Sequence, residues 1–260
     1  MKLIDINCDM GEGFDADPDL LTMVSSANIA CGYHAGDNNT MAATIAVAAR
    51  NSVLAGAHPG LPDRENFGRL EVAMEPIEIR NLILAQIGAL SAIARAQGIS
   101  LSHVKPHGAL YHMAERDRGI AAAIVEAVRD FNAQVAIMGL SGGVLAQCAE
   151  DFGLRAMHEV FADRAYTPLA ALVPRSDPRA LIENGADAAD RIAGLLAGDG
   201  IQAIDGSRLY LRADTVCIHS DRPAVAQFTH DFTQRLAFHG IAVARRNDIA
   251  DSLVGASPHD

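Results

Sequence analysis

Leu3-Ile4-Asp5-Ile6-Asn7-Cys8-Asp9-Met10-Gly11-Glu12-Gly13 opens with a short apolar run and ends in two carboxylates set among glycines. The run reads as a strand over residues 3–7, and the glycines leave the loop free to bend Asp9 and Glu12 toward one point. The pattern returns down the chain. Strand-like runs over residues 27–31, 53–57, 101–105, 134–138, 154–158 and 215–219, and a weaker one over 241–244, alternate with helical patterns. Such alternation implies a parallel sheet covered by helices, but periodicity alone does not separate an open doubly wound sheet from a closed barrel. The polar residues separate them. They follow strand after strand, and in a barrel every strand end can contribute to one site. The α/β chain of 260 residues fits one barrel of about 250, so a single (β/α)-barrel domain over 1–260 is expected.

Punctuation places the helices. Pro76 starts one whose Ile83, Ile87, Leu90 and Ala94 form a single stripe before Gly98 stops it. Ser141 is placed to cap a helix running to Gly153, Asp177-Pro178 opens another, and Pro223 starts one that stops at Gly240. Asp205-Gly206 signals a small β-hairpin insertion near 201–212 with a type I′ turn.

Composition narrows the function. Twenty-one Lys and Arg against 32 Asp and Glu give a net charge of −11, which opposes binding to a phosphate backbone and points to no nucleic-acid partner. Asp5 interrupts the first apolar run before a signal-peptide core forms. The greasy stretch 77–96 carries Arg80, Asn81, Gln86 and Arg95 and reads as an ordinary helix, so no membrane partner is expected. Cys8, Cys31, Cys148 and Cys217 lie apart with no C-x-x-C, which fits buried thiols in a reducing cytoplasm.

The strand ends carry the chemistry. Asp9 and Glu12 can each act as a base or a metal ligand, or Asp9 can cap its own turn. His34, between glycines in Cys31-Gly32-Tyr33-His34-Ala35-Gly36, reads as a ligand or acid/base, or as a histidine bonded to loop carbonyls. His58 in Gly56-Ala57-His58-Pro59-Gly60 repeats the arrangement. Lys105 and His107 are two apart and share a face if extended, and a lysine ending an apolar strand is costly to bury unpaired. Ser141-Gly142-Gly143 opens a helix and offers N–H groups to an anion, or is simply a cap. Glu159 is a candidate acid, and Arg164 a carboxylate clamp or the partner of a structural Asp. Cys217-Ile218-His219-Ser220-Asp221 is the last site-like segment. There is no G-x-x-x-x-G-K-[ST], no G-x-G-x-x-G after a strand, no G-x-S-x-G and no H-E-x-x-H.

Residues 7–12, 26–37, 56–60 with Phe67-Gly68-Arg69, 104–111, 159–166 and 217–221 resemble, in order, the signature stretches of the LamB/YcsF family. The resemblance covers nearly the whole chain. It departs at Gly13-Phe14-Asp15 and at Ser220, which alter loop shape and leave the candidate chemical groups in place. It implies an irregular, seven-stranded (β/α) barrel of the glycoside hydrolase and deacetylase kind. It also implies the ATP-coupled hydrolysis of 5-oxo-L-proline to L-glutamate with release of ADP and phosphate, run by an A subunit with B and C partner subunits and ATP with Mg²⁺.

A five-membered lactam is an unactivated amide whose nitrogen is too basic to leave unaided, so its opening needs an activated carbonyl, a base and a proton donor. For those roles the resemblance leaves Asp9, Glu12, Lys105, His107 and Glu159, with Asn7, Asn28, Ser141, Gly142 and Arg164 for substrate. The deacetylase relatives suggest an alternative, a metal-dependent amidohydrolase acting on a small N-acyl or carbohydrate substrate. There Asp9, His58 and His107, with His34 as a fourth candidate, would hold Zn²⁺ or a similar ion. A non-catalytic substrate-binding subunit is the third reading. Convergence of Asp9, His34, His58, Lys105, His107 and Glu159 on one end of a closed barrel is expected.

Overall fold

The computed structural model describes residues 2–244. The expected single domain therefore extends past the described residues at 245–260. In chain order the elements are β1 (Lys2–Met10), α1 (Asp17–Leu20), β2 (Ser26–Ala30), α2 (Asn38–Arg50), β3 (Leu54–His58) and α3 (Pro76–Ala96). They continue with β4 (His103–Val104), α4 (Gly108–Ala114), α5 (Arg118–Asn132), β5 (Ala136–Leu140), α6 (Val144–Asp151) and β6 (Ala156–Phe161). The last are α7 (Gly185–Ala197), β7 (Ile201–Gln202), β8 (Arg208–Leu209), β9 (Thr215–Ile218), α8 (Val225–Phe238) and β10 (Ile241–Val243).

Strands β1-β2-β3-β4-β5-β6-β9 are all parallel, and β9 pairs with both β6 and β1, which closes a seven-stranded barrel. Strand β1 is long enough to do two jobs. Its first residues pair with β10 outside the barrel (Lys2 opposite Ile241), while Asp5 onward pairs with β9.

Alternation along β1 sends Ile4, Ile6, Cys8 and Met10 into the hydrophobic layer under the helices and Asp5, Asn7 and Asp9 into the barrel. The interior is therefore polar for much of its height. At one level Asp5 accepts hydrogen bonds from Ser25, Ser26 and Thr215 at 2.5–2.7 Å. Above it, Asn28 donates to Asn7 Oδ1 at 2.8 Å and accepts from His103 Nε2 at 2.8 Å. Gly56 makes room for that imidazole, since a Cβ there would lie 2.1 Å from His103 Nε2. Ala136, Met138 and Met157 form a small apolar cluster on β5 and β6.

Helix α3 buries Ile79, Ile83, Ile87, Leu90 and Ala94 and starts with a capping box between Glu75 and Glu78. By length and composition it is apolar enough to cross a membrane, and here its buried stripe is core. All four cysteines are free and buried. Three local expectations fail. Ser141 does not cap α6, whose N-cap is Gly143 with no side-chain hydrogen bond of its own. No helix opens at Asp177-Pro178: Asp177 instead pairs with Arg179 and accepts its backbone N–H, and the next helix, α7, waits for the Asn184 cap. The 201–212 hairpin exists, but only Gly206 has positive φ (+89°), so the turn is not type I′. Asp205 accepts from the Ser207 N–H and hydroxyl, holding an Asx turn in its place.

Candidate active site

The carboxyl ends of the barrel strands and their following loops bring Asp9, Glu12, His34, His58, Lys105, His107 and Glu159 together. Glu12 Oε1 lies 3.0 Å from His34 Nε2, 3.2 Å from His107 Nδ1 and 3.8 Å from His58 Nε2. One ligand atom from each of these four residues falls within 4.8 Å of every other. His34 and His107 stack with ring centroids 3.8 Å apart. The structure places Glu12, not Asp9, inside the histidine cluster. Asp9 Oδ1 is committed to Asn28 at 2.9 Å and Lys105 at 3.2 Å, and Oδ2 stands 3.4 Å from His58 Nε2.

Two backbone carbonyls fix the tautomers. His58 Nδ1 donates to the Lys105 carbonyl at 2.7 Å and His107 Nε2 to that of Phe67 at 2.8 Å. The remaining nitrogens, His58 Nε2 and His107 Nδ1, then face each other 2.9 Å apart as two acceptors. That contact needs a shared proton or a cation. His34 Nδ1 is buried without a partner. The donor set of three imidazoles and one carboxylate fits a divalent ion of the zinc kind.

Lys105 is wholly enclosed. Its Nζ sits 2.8 Å from Glu159 Oε1, 3.2 Å from Asp9 and 3.1 Å from Asn7 Oδ1. Burial opposes its charge, but Asp9, Cys217 and Glu159 outweigh it and hold the ammonium well above the ordinary lysine range. Burial also opposes the charge on Asp9, and His58 and Lys105 keep its carboxyl well below the usual range. Glu12, likewise buried, is brought down to about 2 by the imidazoles of His107 and His34 beside it. Burial takes His34 to about 4. Tyr111 donates to Glu159 Oε2 at 3.0 Å, so both oxygens of that carboxylate are engaged.

Asp9, Glu12, His58, Lys105, His107 and Tyr111 line one cavity of about 680 Å³, while Glu159 is buried behind its wall and His34 faces a smaller pocket. Arg164 lines the larger cavity too, donating through Nη2 to the Val173 carbonyl at 2.6 Å and leaving a buried Nε without a partner. At the rim, half-exposed Arg69 and Arg175 converge on Asp221 at 2.5 and 3.2 Å.

Three expected substrate contacts do not reach the cavity. Asn7 and Asn28 are fully buried beneath the site, with Asn7 Nδ2 on Thr215 and the amides bonded to each other, so they position Lys105 and Asp9. Ser141 is buried and does not line the cavity, whereas Gly142 does. The N–H groups of this turn are already engaged. Gly142 donates to His158, and the Glu115 carboxylate accepts from Val144 at 2.7 Å at the start of α6. Sequence reasoning left Tyr111, Glu115, Arg175 and His219 unassigned. All four line the cavity, and the flagged segment 217–221 was the signal available for His219.

A family model for the LamB/YcsF family matches residues 4–251. The chain is 43% identical to the A subunit of the 5-oxoprolinase from Pyrococcus abyssi over 94% of this chain and 98% of that one. It is 46% identical to the A subunit of the 5-oxoprolinase from Methylococcus capsulatus over 94% of this chain and 95% of that one. The crystal structure of the lactam utilization protein from Thermus thermophilus superimposes with a TM-score of 0.88 at 40% identity, covering 94% of this chain and all of that one. The length and level of these matches leave one assignment: the chain belongs to the LamB/YcsF family.

Proposed function

We propose that this chain is the A subunit of an ATP-dependent 5-oxoprolinase, and that its cavity opens 5-oxo-L-proline to L-glutamate in a complex with B and C partner subunits. The observation that carries the reading is the pairing within one cavity of an arginine with a free buried donor, Arg164, and a cluster of proton-transfer groups. A small cyclic amide bearing a carboxylate presents the complementary pair of features. Relatives named as the A subunits of 5-oxoprolinases, matching over nearly the whole chain, support it.

In this reading Arg164 holds the substrate carboxylate. Lys105, kept charged between Asp9 and Glu159, supplies positive charge toward an oxyanion at the ring carbonyl. Glu12, His34, His58 and His107 would hold a divalent ion, which when bound would polarise a carbonyl or acidify a water. Activation of the amide by ATP and Mg²⁺ falls to the partners, since the chain has no P-loop fingerprint. The histidine cluster favours a second reading, a metal-dependent amidohydrolase acting on an N-acyl or carbohydrate substrate without ATP.

The test is glutamate release from 5-oxoproline by the chain alone and with its partner subunits, ATP and Mg²⁺. Turnover is expected only in the complete mixture. Lys105→Ala is expected to keep partner-driven ATP hydrolysis and lose glutamate production. Robust turnover by the isolated chain without ATP would favour the second reading and overturn the first.

A further inference from the structure

Beyond the Glu12 and Lys105 groups, the cavity wall holds a second pair of titratable residues. Asp163, just past β6, is buried, and both its carboxylate oxygens lie 3.0 Å from Nδ1 of His219, just past β9. One of those oxygens also accepts the His219 backbone N–H, at 3.4 Å. The imidazole stacks on Phe161 with an interplanar angle of 18°, so its plane is fixed as well as its tautomer. With Nδ1–H on the carboxylate, the free atom is Nε2, on the opposite side of the ring. It makes no hydrogen bond among the described residues, and His219 lines the same cavity as Asp9, Lys105 and Arg164. The other charges acting on this imidazole come from Asp9 and from His112 of α4, while Arg164 and Arg222 act on Asp163.

A latch between β6 and β9 would need only the Nδ1 edge of the ring. The geometry instead matches a base whose orientation and tautomer are set by a buried carboxylate, with the second nitrogen presented to a ligand. We infer that His219, oriented by Asp163, is the catalytic acid that protonates the departing ring nitrogen of the cyclic amide. The inference rests on the lactam-opening reading and names its proton donor, since the Lys105 ammonium is held between Asp9 and Glu159, and Glu12 by its three histidines.

The C–N step balances. In the adduct of water with the activated ring carbon, the C–N bond breaks with its electron pair on nitrogen, and nitrogen takes the proton from Nε2. The adduct's hydroxyl closes to a carbonyl as its proton passes to solvent, and the oxygen that ATP activated stays on carbon until a second water hydrolyses the acyl phosphate to carboxylate and phosphate. His219 is left neutral, with Nδ1–H still on Asp163, and exchange of the water-derived proton through solvent restores the imidazolium. Asp163 is the positioning residue.

His219→Asn separates the two roles, because the Asn amide can still donate to Asp163 but has no counterpart of Nε2. In the reconstituted complex the variant is expected to keep its thermal midpoint, its KM for 5-oxoproline and its ATP hydrolysis. Its kcat for glutamate should fall by about 10²–10⁴-fold, the range for losing a general acid. Asp163→Asn keeps an acceptor at Nδ1 but removes the negative charge beside the ring. Its kcat for glutamate should fall while its KM for 5-oxoproline and its thermal midpoint stay in place, a split that a purely structural latch would not give. A competent wild type beside His219→Asn at unchanged kcat, or an unchanged kcat in Asp163→Asn, overturns the inference alone. A wild-type complex that makes no glutamate overturns the lactam reading and this inference with it.

Discussion

His58 and His107 face each other across 2.9 Å with both of their donor nitrogens already committed to carbonyls. Two lone pairs at that distance repel unless something positive lies between them. Protein purified without chelator is therefore expected to carry about one equivalent of a divalent metal by elemental analysis, in line with an imidazole and carboxylate donor set. Glu12→Gln and His58→Ala should lower that content. Stoichiometric metal in the His58→Ala protein would place the ion elsewhere. His103, a level below, behaves differently. Burial takes its imidazole to about 3, so it stays neutral between Ser102 and Asn28. The unfolded chain binds a proton there near pH 6.5 and the folded one does not, so stability is lost as pH falls from about 6.5 toward 3, by about 1.4 kcal/mol per unit from this one residue. Denaturant titrations across that range should show a shallower pH slope for His103→Gln than for the wild type. Equal slopes would mean that His103 protonates in the folded state. Sequence alternation could place Asp5, Asn7 and Asp9 on one face of β1. It could not show that Asn7 and Asn28 spend their amides on Thr215, His103 and each other, because those partners come from distant strands.

Elements were legible where one residue decides them. Pro76 begins α3, and the stripe Ile83, Ile87, Leu90 and Ala94 is buried as its spacing requires. They were illegible where a side chain from elsewhere takes a backbone group. Ser141-Gly142-Gly143 reads as an open helix start, yet Glu115 fills it with a carboxylate, and a Cβ on Gly143 would lie 2.0 Å from that oxygen. Asp177-Pro178 reads as a helix start and is a turn, because Asp177 finds Arg179 two residues on. Glu115 acts as the cap that α6 lacks in its own sequence. Glu115→Ala is expected to cost about 1 kcal/mol, the usual value of a lost cap, and to lower the thermal midpoint by about 2–4 °C. Gly143→Ala, which would push the carboxylate out, should cost at least as much. A midpoint unchanged in both variants would show that water serves the Val144 N–H equally well.

At the scale of the molecule, closure was the property periodicity left open. It rests on β9, which joins β6 to β1 and brings Thr215 against Asn7, 208 residues earlier. Polar strand ends pointed to a barrel because their groups need a common centre, and the resemblance supplied the strand number. In the lactam-opening reading the closed barrel gives an acidic protein a place for an anion. The net charge is −11, and in the cavity Lys105 is paired with Asp9, and Arg69 and Arg175 with Asp221, which leaves Arg164 with a buried N–H that has no partner. Low-dielectric walls concentrate the field of that guanidinium inside, while the outer acidic surface is screened by salt. Binding of 5-oxoproline to this chain should then depend on the substrate carboxylate and on ionic strength together. Calorimetry suits the measurement, since the chain has no Trp. Raising ionic strength from ~0.01 M to ~1 M, which shortens the screening length from about 30 to about 3 Å, should weaken 5-oxoproline binding and barely affect its neutral carboxamide. Arg164→Gln should lower the affinity for 5-oxoproline about tenfold or more, as expected for an unpaired buried charge, and remove the preference for it over the carboxamide. An affinity indifferent to both salt and Arg164→Gln would mean that the carboxylate is bound elsewhere, and that Arg164 serves another ligand.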